Sequence, residues 1–314
     1  MYYPYFRGKQ YELITIRENA GLLKQSGFVP IIEPVKQQIN TLRKAIDEVK
    51  RMGGECVLII NPKCGDHSQD DRAIRSLAKT YFAAFNGLSV GILLTASTSL
   101  DHVKALCSQH AKRNIALIHC GFEDGKDLAG VLAEHPNVSR HVFVENFCGK
   151  LYRRHFADRT RILLRDGFRK QRTNREYGDA PEPFSDLHAT FRDEEGMDGF
   201  GDFLIVGDDF SESGGPAYAV AIHLTYIDEQ RDGEMYIYHF VSDRTDTPTD
   251  PAGKFAEALA KLVAEVEKVN SPILRSNAVE EFLELHNNPH FPGLGYVKKL
   301  SMQHHIETLA DFFK

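Results

Sequence analysis

The chain has 314 residues and a mass of 35.5 kDa, with 42% hydrophobic residues, 26% charged residues and a formal net charge of −6. That composition excludes collagen, coiled coil and wholesale disorder, and the lack of any apolar run of about 18 residues excludes a spanning helix. The acidic balance gives no overall attraction to nucleic acid or to an anionic membrane, and the opening MYYPYFRGKQ has no secretory apolar core, so a cytoplasmic protein is expected.

Residues 8 to 25 read as a helix. After it come eight short apolar runs, each bounded by Gly, Pro or polar residues. They are Phe28–Glu33, Cys56–Asn61, Leu88–Thr95, Ile115–His119, His141–Glu145, Arg161–Arg165, Asp202–Gly207 and Ala217–Tyr226. Helical patterns separate the early runs. Ile39, Leu42, Ile46 and Val49 share one face, with Gly53-Gly54 to end that helix. Asp70 and Ser99 are placed to cap the helices carrying Ile74, Leu77, Phe82 and Phe85, and Val103 and Leu106. Asp127 to Glu134 predicts a short helix, and Lys150 to Ala157 barely two turns.

Strands alternating with helices imply parallel pairing, and continuous Val/Ile/Leu runs are what strands buried on both faces need. Eight of them predict an α/β fold, a (β/α)8 TIM-barrel-like ring; no G-x-G-x-x-G or P-loop pattern points to an open nucleotide-binding sheet. Residues 166–201 break the pattern as a long loop, with a helix expected near Ser185 to Glu194. After the eighth run, Asp232-Gly233 predicts a β-hairpin into Glu234–Val241, added at strand eight. A helix over Lys254 to Val269 closes a domain spanning 1–269, and residues 270–314 form a helical C-terminal tail with patterns near Ala278 to Leu285 and Ile306 to Phe313.

In such a barrel the site lies where the strands end. The closing residues are Glu33, Asn61 with Lys63, Thr95, His119, Glu145 with Asn146, Arg165 with Asp166, and Asp208 with Asp209. Buried charges there need a partner or a ligand. Glu33, Glu145 and Asp208 are oxygen donors suited to Mg²⁺ or Mn²⁺. Lys63 and Arg165, with Asn61, are suited to bind an anionic substrate. His119 is placed as acid/base with Glu145 and Asp208. Together these predict an anion- or metal-binding mouth for metal-assisted phosphoryl or phosphodiester hydrolysis. The bland alternative is an internal salt-bridge network pairing Glu33 with Lys63 and Glu145 with Arg165.

Charge is uneven. Residues 150–175 hold ten Lys/Arg against two acids, and residues 176–209 hold eleven acids against one Arg. These are either mutually neutralising faces or an anion patch beside an acidic loop. Five cysteines without a C-x-x-C give no disulfide framework or zinc knuckle. His119-Cys120 and Cys64 near His67 leave thiol chemistry as a minor option. His304-His305, about 100° apart on a helix, reads as packing rather than joint ligation of a metal.

The opening Tyr3-Pro-Tyr-Phe-Arg-Gly-Lys-Gln-Tyr-Glu12 with Pro30-Ile-Ile-Glu33, and the later strand pair Ala217 to Val241 followed by Ser301-Met-Gln-His-His-Ile306, resemble the phage beta-protein-like family, in its uncharacterised bacterial branch. The resemblance follows segment order over nearly the whole chain. It implies a barrel-like fold and a setting beside nuclease-like or phage-defence genes, and it transfers no catalytic residue. It motivates the competing expectation: an interaction component that docks a partner protein encoded nearby, or nucleic acid, through residues 150–175.

Overall fold

The computed structural model describes residues 1–212 and 214–314. The chain divides into two compact units, Met1–Asp166 with Thr190–Phe203, and Gly167–Ala189 with Leu204–Lys314.

The first unit is the expected barrel. Its parallel strands run in chain order: β1 (Tyr5–Phe6), β2 (Ile31–Ile32), β3 (Cys56–Ile59), β4 (Leu88–Thr95), β5 (Ile115–Cys120), β6 (Val138–Val144) and β7 (Arg161–Leu164). The strand β8 (Glu182–Ser185) belongs to the second unit, and β9 (Gly199–Gly201) pairs with β7 to complete the eight. A parallel bridge between Tyr2 and Phe200 shuts the ring. Around it, Phe200 N donates to Met1 O at 3.0 Å, Tyr3 N to Phe200 O at 2.8 Å and Tyr5 N to Asp202 O at 2.9 Å.

Strand alternation sorts the side chains. Tyr5, Ile31, Ile59, Leu93, Ile118, Val144, Leu164 and Phe203 fill the barrel interior. The intervening residues face the helices, which sit where the 3.6 periodicity put them. The helix Asn40–Arg51 buries Leu42, Ala45, Ile46 and Val49, and Ser99 caps Leu100–Gln109 by accepting from His102 N at 3.3 Å. The helix expected over 8–25 is two helices, Gln10–Glu18 and Ala20–Gln25, parted at Asn19.

Two of the expected barrel strands are not barrel strands. Leu204–Val206 forms a turn, and Ala217–Tyr226 contributes to a separate antiparallel sheet. That sheet has the order β10 (Ala221–Asp228), β11 (Glu234–Val241), β8. The Asp-Gly hairpin is real: Asp232 and Gly233 both take positive φ, 57° and 74°, as the tight turn requires. It adds to the second unit, not to strand eight of the ring. Ile222, Leu224 and Phe240 on one face of this sheet pack with Phe255, Leu259, Leu262, Phe282 and Leu300. These last come from helices Pro251–Val266, Asn277–Asn287 and Leu294–Phe312. The hairpin and the three helices share one core within the second unit. Among the described residues no helix is long and apolar enough to cross a membrane.

Candidate site at the barrel mouth

The carboxyl ends of β1 to β3 converge on Glu33. Its side chain is fully buried. Alternation from Val29 and Ile31 turns it inward, where a carboxylate survives only if it is saturated with donors. Glu33 Oε2 accepts from Tyr5 Oη at 2.7 Å, and Oε1 accepts from the backbone N–H groups of Lys63 at 2.9 Å and Cys64 at 3.3 Å. Arg7 Nε lies 3.7 Å from Oε2. Burial and the Glu33 charge push the Tyr5 phenol well above its ordinary range. Burial, with Glu33 behind it, also raises the Cys64 thiol. Gly65 makes this loop possible: it has φ +71°, and a Cβ there would stand 2.1 Å from Val35 O.

The expected Glu33–Lys63 ion pair is instead a bond to the Lys63 backbone. The Lys63 ammonium reaches across to β5, with Nζ 3.0 Å from Cys120 Sγ and 5.3 Å from the Phe147 ring centroid. Phe147 is half exposed. This part of the mouth offers a cation, a thiol and an aromatic face. Asn61 serves the wall, its amide bonding the backbone of Leu93 in both directions at 2.9 and 2.8 Å. Thr95 lies in a turn with Ser97 and Thr98.

At the ends of β6 and β7 the charges are denser. Arg165 grips Glu145 with Nε at 2.7 Å and Nη2 at 3.0 Å, the expected pair. Arg165 Nη2 also lies 3.2 Å from Glu195 Oε1. Glu195 Oε2 lies 3.4 Å from Arg153 Nη2 and 3.7 Å from Lys150 Nζ. Arg153 is only 4% exposed, yet among the described residues its Nε and Nη1 have no hydrogen-bond partner. Arg153 and Lys150 sit on the short helix Lys150–Arg153 after β6, as the chain order requires.

His119 is not at the mouth. It alternates with Ile118 and Cys120, so its ring points outward into the layer behind β5 and β6. There Nδ1 is 2.7 Å from Tyr152 Oη and Nε2 is 3.0 Å from His141 Nδ1, against Phe143 and Phe156. Burial, with the His141 neighbour second, holds its pKa well below the ordinary value. Burial takes His141 down to about 3. His119 is therefore a neutral packing group.

Asp208 lies in the second unit and closes no strand of the ring. The expected catalytic set of His119, Glu145 and Asp208 is thus not built on the ring's strand ends. The expected metal donors Glu33, Glu145 and Asp208 fare likewise. Glu33 is saturated, Glu145 holds Arg165, and among the described residues no group of three or more His, Cys, Asp or Glu is arranged to hold a metal. None of the five cysteines is joined in a disulfide. The His304-His305 pair packs as expected, with His304 Nδ1 2.7 Å from Ser276 Oγ and His305 Nδ1 2.9 Å from Thr225 Oγ1.

Sequence reasoning missed Arg7, Cys120, Phe147, Lys150, Arg153 and Glu195 as parts of the mouth. The basic stretch containing Lys150 and Arg153 was a signal for two of them. Glu195 carries none, because it follows no apolar run. No protein-family model, no curated protein and no solved structure matches the chain, so the site stands on its geometry.

Proposed function

We propose that the barrel mouth binds a small oxyanionic ligand, with Arg165, Arg153 and Lys150 as the anion clamp and Lys63, Cys120 and Phe147 completing the polar and aromatic lining. One observation carries this reading. Arg153 is buried beside two other cations and keeps two guanidinium nitrogens, Nε and Nη1, without acceptors. Each such group costs about 1–3 kcal/mol when buried and unsatisfied, and ligand oxygens would relieve that cost. Guanidinium forks suit phosphate and carboxylate because the contact is two-pronged. The uneven charge of residues 150–175 supports the same reading. It is not one continuous docking surface: Arg153 is buried, Arg161 bonds Gly196 O, and Arg165 is held by Glu145.

Calorimetric titration of the full chain with inorganic phosphate tests this. The expected result is saturable binding that weakens at least tenfold in Arg165→Gln, a change of about 1.4 kcal/mol. Equal binding by the wild type and Arg165→Gln would overturn the proposal.

A further inference from the structure

Glu195 is an odd resident of a cationic cluster. Its single carboxylate is shared by three cations from two connections, Lys150 at 3.7 Å, Arg153 at 3.4 Å and Arg165 at 3.2 Å, and its side chain is 12% exposed. Sharing of this kind is how a protein coordinates a bound oxyanion. The turn that presents it is well pinned. Glu195 N donates to Thr190 O at 3.3 Å and Gly196 N to Arg192 O at 3.0 Å, and Gly196 reverses the chain at φ +64°. Phe191 and Met197, on either side of the turn, are buried.

Resting on the oxyanion reading above, we infer that Glu195 is a built-in stand-in for the ligand: it occupies the anion subsite of Lys150, Arg153 and Arg165, and the ligand binds by displacing it. The charge balance names the ligand class. Counted over Lys150, Arg153, Arg165 and Glu145 alone, removal of Glu195 leaves a net of +2, a balance that favours the dianionic phosphate of a phosphate monoester over a monocarboxylate. A monoanion such as acetate replaces Glu195 charge for charge and gains little. A phosphate dianion brings one more charge and more acceptor oxygens, so that on the Nε–Nη2 edge of Arg153 it adds an acceptor for Nε, which Glu195 leaves unmet. The carboxylate on the turn thus sets a threshold on affinity, since any ligand must outcompete an intramolecular anion at high effective concentration.

The test is titration of the 314-residue chain with inorganic phosphate and with acetate at about pH 8, where phosphate is mostly dianionic because its second pKa is about 7, somewhat above that of a phosphate monoester. Glu195→Gln keeps the shape and removes the charge. It is expected to bind phosphate at least tenfold more tightly than the wild type, with acetate weaker than phosphate in both. It should also melt at a lower temperature without phosphate and gain more from phosphate, as ligand linkage requires. Glu195→Asp, which retracts the carboxylate by one methylene, should fall between the two, and it carries the comparison if Glu195→Gln does not fold. Equal phosphate affinity in the wild type and the variants overturns displacement and leaves the anion site standing. Binding by none of them overturns the anion site, and displacement with it.

Discussion

The two sides of the barrel mouth hold similar residues in opposite conditions. At the ends of β1 to β3, Glu33 is fully buried and its carboxylate is surrounded by donors: one phenol, two backbone N–H groups and a guanidinium nearby. At the ends of β6 and β7, Glu145 and Glu195 are shared among three cations, and Arg153 still has donors left over. The first arrangement is closed and ties three connections together. The second has binding capacity to spare. A charged residue at a strand end is therefore not a sign of chemistry in itself; whether its hydrogen-bonding capacity is exhausted separates scaffold from site.

The largest effect should come from the closed side. Glu33→Ala strips the acceptor from Tyr5, Lys63 N, Cys64 N and Arg7, and should cost about 3–5 kcal/mol in chemical denaturation. A loss below 1 kcal/mol would erase the contrast between the two sides. Gly65→Ala attacks the same side through the backbone. A positive φ combined with a backbone clash against Val35 should cost about 2–3 kcal/mol, and phosphate affinity should stay within a factor of about two, since a change that small is under 0.5 kcal/mol.

Acid should act on a third region, the layer behind the strands. His141 has its pKa lowered to about 3 by burial, from an ordinary 6.5, and His119 is shifted the same way. The unfolded chain takes up the proton first, so this stability is complete above the unfolded value and is lost as pH falls below it. For His141 the loss should be on the order of 2 kcal/mol between pH 7 and pH 5, and His119 acts in the same direction. Thermal melts at the two pH values should show the same drop in Arg165→Gln, because the mouth plays no part in it. The smallest stability effect belongs to the open side. Arg165 and Glu145 are each about a quarter exposed, and Arg165→Gln should cost about 1 kcal/mol. Its phosphate affinity should nonetheless fall most of all.

The ring was legible where strands are buried on both faces. Cys56–Ile59, Leu88–Thr95 and Ile115–Cys120 are continuous apolar runs because helices cover one side and the barrel core the other. The closing seam was not legible. β1 has two residues, and β9 is Gly-Phe-Gly, a sequence with poor strand propensity. Glycine is needed there because the chain passes tightly: a Cβ on Gly201 would lie 2.1 Å from Tyr3 O, and one on Gly199 would lie 2.9 Å from Met1 O. The greasier runs at 202–207 and 217–226 competed for the same assignment and misled it.

At the site, the Glu145–Arg165 pair and the inward Glu33 were readable from strand ends. His119 was misassigned because a strand's last residues alternate between mouth and outer layer, and it falls on the outer phase. Glu195 was hidden because it reaches the mouth from a turn distant in sequence.

The most direct test of the account is a crystal structure of the wild-type protein grown with selenate, an oxyanion visible by anomalous scattering. The account predicts an anomalous peak within hydrogen-bonding reach of Arg153 and Arg165, with the Glu195 side chain moved aside. A peak elsewhere on the barrel, or Glu195 unmoved with no anion beside Arg153, would contradict it.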